Sequence, residues 1–157
     1  MTAPANLTTS TENIDINYSY LPELTGHLLG LAHLKSTRIC NSCMAEVGLT
    51  TKQFVALEFI ASNPQMSQRE IAEQIGVTSQ LMVNILDFLT DRGLVQRVRS
   101  TKDRRQHTIQ ITPAGEGLLP KVHRLAFEVE SLFAADTGLT TAEMETLITI
   151  LRKATGR

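Results

Sequence analysis

Tryptophan is absent from these 157 residues, and aromatic side chains make up only 4% of them. A core must therefore be assembled from Leu, Ile, Val and Met, which favours packed helices over a large sheet. Cysteine is scarce as well. Cys40 and Cys43 form a single C-x-x-C, and one such pair cannot supply the disulfide framework of a small secreted domain. No run of about eighteen apolar residues is present to span a bilayer, and residues 1–20 carry neither a basic start nor the apolar stretch of a secretory signal. The expected location is the cytoplasm. The chain also lacks a glycine-rich phosphate loop, a nucleophile with its base and a paired metal-ligand motif, so no enzyme activity, cofactor or metal is expected.

Excess charge of one sign is missing too, since the formal net charge is only −1. The distribution is more informative than the total. Six of the fifteen Lys and Arg residues, Arg92, Arg97, Arg99, Lys102, Arg104 and Arg105, fall in one short stretch, and none precedes Lys35. Positive charge is concentrated there, as a nucleic-acid footprint requires.

Residues 1–20, rich in Thr, Asn and Ser, are expected to be a flexible segment outside the core. The stretch 21–47 reads as a long helix with Leu24, Leu28 and Leu31 on one stripe and Leu29, Ile39 and Met44 elsewhere around it. A helix apolar on more than one side is usually covered by two neighbours. Leu49-Thr50-Thr51-Lys52-Gln53, Met66-Ser67-Gln68-Arg69-Glu70 and Leu139-Thr140-Thr141-Ala142-Glu143 each place Ser or Thr three residues before Gln or Glu, behind an apolar residue. That is the pattern of a capping box with a hydrophobic staple, and it marks three helix starts. Two more begin at Thr78 and at Thr112-Pro113, while Asn63-Pro64, Gly76 and Gly93 mark helix ends. Between 68 and 93 lie two short helices joined by Gly76-Val77-Thr78, the length and glycine content of a helix-turn-helix.

After Gly93 the period becomes two: Leu94, Gln96 and Val98 oppose Val95, Arg97 and Arg99, and beyond a polar tip His107, Ile109 and Ile111 alternate with Gln106, Thr108 and Gln110. The reading is a hairpin with a basic tip. Further helices follow, one along Leu118, Val122, Leu125, Val129 and Leu132 and another along Met144, Leu147, Ile148 and Leu151. The fold class is mainly α with a small β-hairpin wing. A winged helix-turn-helix over 49–112 is flanked by helices at 21–48 and 113–157.

In the second helix of the turn, Leu81, Ile85, Phe88 and Leu89 should face the core, leaving Ser79, Gln80, Val83 and Asp87 outward with Asn84 at the edge. Short hydrogen-bonding side chains near a helix N-terminus suit base-edge readout in a major groove. Arg97 and Arg99 on the strand, with Lys102, Arg104 and Arg105 at the tip, form a cationic finger suited to a minor groove. Asp103 can pair with Arg105 and hold its direction. Ser67 and Gln68, at the start of the preceding helix, complete the expected DNA-contacting set.

The run Met66-Ser67-Gln68-Arg69-Glu70-Ile71-Ala72, then Arg92-Gly93-Leu94-Val95, Asp103-Arg104-Arg105 and Thr112-Pro113-Ala114-Gly115, resembles the winged-helix core of the MarR family. The resemblance covers about 21–151. It implies a DNA-binding transcriptional regulator, a repressor, working on a pseudo-palindromic operator as a homodimer, with the flanking helices at 21–48 and 113–157 as its dimerisation helices. It implies further that Arg105 enters the minor groove, oriented by Asp103, and that the helix beginning at Ser79 enters the major groove. Where many members carry Arg this chain has Asn84, which shifts readout toward Gln80 and Asn84, two amides able to address adenine.

Relatives are also released from DNA by small aromatic or phenolic ligands, for which His27, His33, Lys35 and Arg38 are the polar candidates. An arginine pair found in such relatives is replaced here by Gly30 and Leu31. Two alternatives stay open: a thiol-based redox switch using Cys40 and Cys43, and a winged-helix protein-interaction module whose basic finger meets an acidic partner.

Overall fold

The structure, a computed structural model, describes residues 19–99 and 107–156. The elements are α1 (Thr25–Met44), α2 (Thr51–Ser62), α3 (Gln68–Ile75), α4 (Ser79–Asp91), β1 (Val95–Arg99), β2 (His107–Ile111), α5 (Pro113–Thr137) and α6 (Thr141–Thr155). The strands pair antiparallel, with Val95 opposite Ile111 and Arg99 opposite His107. Mainly helical with one hairpin is the fold class expected.

Local chemistry starts these helices where it should. Thr50, Ser67 and Thr140 each accept from the backbone N–H three residues on, while Gln53, Glu70 and Glu143 reach back to the cap N–H, closing three reciprocal boxes. The Thr78 hydroxyl caps α4, and Thr112 caps α5 with Pro113 in its first turn. Gly76 ends α3 in the left-handed conformation, which costs a Cβ-free residue little.

The single helix expected over 21–47 is divided. Pro22 opens a 3₁₀ turn, Leu21–Glu23, and Leu24 is extended before α1 begins. At its other end the chain tightens into a second 3₁₀ turn, Ala45–Val47, which stops at Gly48 with φ +65°.

One buried cluster draws on Met44 of α1, Leu57 and Ile60 of α2, Ile71 of α3, Met82, Leu86 and Leu89 of α4, Ile109 of β2, and Val122 and Leu125 of α5. On α4 the buried side chains are Met82, Ile85, Leu86 and Leu89. The expected stripe faces the core, with Ile85 and Leu89 buried and Leu81 and Phe88 half-buried against the cluster, and Met82 and Leu86 extend it. Leu81 lies at a shallow hollow against α1 and α2, and the Arg92 guanidinium covers the Phe88 ring. The strict alternation expected along β2 also fails, because Thr108 is buried. Its backbone bridges to Ser67 ahead of α3, and the neighbouring Ile109 N–H donates to Met66 O. The hairpin thus gains a short third partner along the edge of β2.

The end helices contrast with this core. No residue of α6 is buried, and Leu24 just ahead of α1 and Leu28, Leu29, Leu31 and Leu34 in its first half are exposed, the last at 67%. Neighbours on two sides of α1 were expected, yet within one chain its main neighbour is α5. Among the described residues, no helix is long and apolar enough to cross a membrane.

Gly115, in the first turn of α5, is buried where α5 meets the base of the hairpin. A Cβ there would collide with the Leu94 carbonyl oxygen and with Ile111 Cγ1. The first neighbour is backbone and cannot swing aside. Gly115→Ala is therefore expected to lower the free energy of unfolding by about 1–3 kcal/mol, the usual cost of overpacking, read from urea denaturation; an unchanged midpoint would contradict the contact.

Candidate nucleic-acid interface

Helix α4 stands at the edge of the core with its outer face bare. Thr78 Oγ1 accepts from Leu81 N–H at 3.2 Å, which fixes the first turn. Ser79, Gln80, Asn84 and Asp87 are exposed as expected. Gln80 and Asn84, one turn apart, are linked: Gln80 Nε2 donates to Asn84 Oδ1 at 3.4 Å. The bond orients two amides side by side while leaving donors and acceptors on each. Val83, expected to point outward, is half-buried and lines an open hollow with Gln68, Arg97, His107 and Ile109. That hollow joins the beginning of α3, the outer face of α4 and the middle and far end of the hairpin strands into one concave surface.

Two arginines differ from expectation. Arg97 is not a free cation, since its Nη2 donates to Asp87 Oδ1 at 2.9 Å, tying the hairpin to α4. Both side chains are about half exposed, so the pair contributes little to stability, roughly 0–1 kcal/mol. Its effect is on charge, because it neutralises a carboxylate on the outer face of α4. Arg92, counted in sequence with the basic stretch, turns inward to the Val47 and Gly48 carbonyl oxygens at 2.9 and 3.0 Å. Arg99 remains exposed on β1, opposite the exposed His107. His107 was missed in sequence, where alternation grouped it with Ile109 and Ile111; the signal was its hairpin register opposite an arginine.

Ser67 is half-buried, and its hydroxyl is engaged with Glu70 Oε2 at 2.7 Å in the capping box, which leaves Gln68 as the freer side chain at the start of α3. Lys102, Asp103, Arg104 and Arg105 lie outside the described residues.

The residues suggested for signal reception are spread over α1. His33 lines a cavity of about 470 Å³ between α1, α5 and α6, with Leu29, Ser36, Glu130, Phe133 and Leu147. His27 is half-buried but does not line it. Lys35 and Arg38 converge instead on Asp136 of α5, at 2.9 and 3.9 Å. The Lys35 hydrogen bond and charge hold the Asp136 carboxyl below the usual carboxylate range. Lys35 is thus committed to Asp136 while Arg38 stays largely exposed outside the cavity, and Glu130 adds a carboxylate to the cavity wall.

Cys40 and Cys43 are free thiols on the buried end of α1. Burial pushes the Cys43 thiol up, with the Glu128 charge adding to it. Both effects disfavour the thiolate that redox chemistry needs. Among the described residues, no three His, Cys, Asp or Glu are placed to hold a metal ion. Because a raised pKa cuts the thiolate fraction about tenfold per unit, Cys43 is expected to alkylate far more slowly with iodoacetamide at pH 7.5 in the folded protein than in urea. Comparable rates would contradict the burial argument.

Comparison with known proteins places this geometry. A family model described as the MarR family matches residues 47–106. A protein of Thauera aromatica, described as a candidate transcriptional regulator for the hcr operon, is 31% identical over 106 residues, or 68% of this chain. The match spans 63% of that protein, so the chain covers less than two thirds of that relative's length. Among solved structures, the transcriptional repressor CouR bound to a 23-mer DNA duplex superposes with a TM-score of 0.79 at 31% identity, covering 90% of this chain and 99% of that one. CouR bound to p-coumaroyl-CoA gives 0.77 at 30% identity, covering 90% and 98%. Apo MarR from E. coli, at 23% identity with a TM-score of 0.75 and coverage of 83% and 96%, shares the fold.

Proposed function

Because the chain belongs to the MarR family of transcriptional regulators, we propose that it is a homodimeric repressor that works in the cytoplasm, grips a pseudo-palindromic operator and is released by an aromatic ligand. The observation that carries the DNA reading is the linked pair Gln80 and Asn84, exposed on α4 beside the hollow lined by Gln68, Val83, Arg97 and His107. An amide addresses adenine N6 and N7 with one donor and one acceptor, and two amides one helical turn apart address neighbouring base pairs. Gln68 and Ser67 at the start of α3, Ser79, and Arg99 with His107 on the hairpin then border the phosphate backbone. Arg97 acts here by holding the hairpin against α4. By the family resemblance, Arg105 enters the minor groove and Asp103 orients it, while Lys102 and Arg104 add positive charge from the same run of sequence.

The dimer is supported by the apolar surface of α1 and α6, on which Leu28, Leu31 and Ile150 are exposed among the described residues. Two copies related by a twofold axis place two α4 helices on half-sites about one helical turn, ~10 bp, apart. The effector class rests on CouR, whose solved complex holds p-coumaroyl-CoA, and on the cavity lined by His33 and Phe133 between α1, α5 and α6. A ligand there touches the helices that set the dimer geometry. The thiol alternative gains nothing from two buried cysteines.

Salt titration separates DNA binding from a protein-interaction role. For about six to ten phosphate contacts, the log of the affinity for a selected duplex should fall against log salt with a slope of about −5 to −9; a slope near zero would point to a protein partner. Gln80→Ala is expected to weaken the preferred duplex by about 1–3 kcal/mol while leaving random-sequence DNA unchanged. An equal loss on all sequences would remove the readout role.

A further inference from the structure

We propose that Arg92 is a positioning residue that sets the angle of the reading helix to the dimerisation helix, and through it the half-site spacing the dimer accepts. The inference rests on the DNA reading above. It starts from a side chain which that reading leaves unused.

Arg92 caps the C-terminal end of α4. One of its nitrogens, Nη1, donates to both Val47 O and Gly48 O, the last carbonyls of the turn that ends α1. The guanidinium carbon also lies 5.6 Å from the Phe88 ring centroid, which holds the plane in place. Gly48 is shaped for this contact: its φ of +65° turns the carbonyls toward α4, and a Cβ added there would stand 3.3 Å from Nη1. On the other side of the same corner, Asn41 Oδ1 accepts from Thr51 N–H at 2.7 Å and from the Thr51 hydroxyl at 2.9 Å. Asn41 therefore fastens α2 to α1, while Arg92 fastens α4 to the corner between them. Hydrogen bonds from a charged donor are stronger than neutral ones and hold direction better.

Leverage makes the contact matter. Gln80 lies twelve residues before Arg92, which at 1.5 Å rise per residue is ~18 Å along the helix. A swing of about 10° at the anchored end moves the reading amide by ~3 Å, close to the ~3.4 Å that separates successive bases. A loosened corner thus lets each reading head slide by about one base pair relative to its partner.

The test uses the full-length protein. An operator is enriched from randomised duplexes with the wild type, and its spacer is then lengthened or shortened by one and two base pairs. For the wild type we expect at least about tenfold weaker binding for a one-base-pair change, the loss that one mis-set base contact brings. Arg92→Met, which keeps the stem and loses the donors, should flatten that ratio to about threefold or less, while the helical circular dichroism and the dimer mass are kept. Arg92→Lys, a point charge without the planar fork, should fall between them, and it carries the test alone should Arg92→Met fail to fold. Either variant keeping the wild-type spacing profile, or losing affinity equally at every spacing, overturns the proposal. A wild type that enriches no sequence overturns the DNA reading and this inference together.

Discussion

Everything that reads or grips in this molecule depends on a small knot where the hairpin begins and ends. Gly93 turns the chain out of α4, and the Leu94 N–H still reaches back to Leu89 O at 2.9 Å. After the hairpin, Thr112 N–H donates to Leu94 O at 3.0 Å, the Thr112 hydroxyl donates to Gly93 O at 2.6 Å, and the same hydroxyl accepts from Gly115 N–H. One threonine thus caps α5 and ties both ends of the hairpin together. The glycine three residues later lets α5 approach the Leu94 carbonyl, so α4, the hairpin and α5 leave the knot in fixed directions. The Asp87–Arg97 pair adds a second tie between α4 and β1. A two-stranded hairpin is at best marginally stable alone, and these ties, with the Ser67 bridge, make it part of the core.

The end helices obey the opposite constraint. Helix α6 has no fully buried residue among those described, and α1 presents leucines to solvent from Leu28 to Leu34. Burying a leucine contributes roughly 1.5–3 kcal/mol, and association costs on the order of 4–15 kcal/mol in lost freedom. Several leucines from each copy therefore bring burial to the scale of that cost, which is the physical case for a dimer through α1 and α6. The core is closed within one copy, and the proposed dimer assigns the end helices to association.

How much of this was legible in sequence follows from how local each signal is. The capping boxes at Thr50, Ser67 and Thr140 involve residues three apart, so their geometry is written in the spacing, and all three formed. Gly115 was visible as part of a motif, but its reason, the Leu94 carbonyl, needed the folded chain. What sequence missed was tertiary. Arg92 bonds across 45 residues to Val47, and no local pattern separates such an arginine from one facing phosphate. Arg97 finds Asp87 because the hairpin folds back on α4. Thr108 broke the strand alternation because Ser67 arrives from another element. The outer face of α4 was read well for Ser79, Gln80, Asn84 and Asp87, since helical period alone decides it; Val83 was not, because the hairpin covers part of it.

The central claim is that a twofold pair of these closed cores presents two reading helices to one face of a duplex. Hydroxyl-radical footprinting on an enriched operator tests it most directly. The account predicts two symmetric protected patches on both strands, their centres about one helical turn, ~10 bp, apart. A single patch, or protection without symmetry, would contradict it.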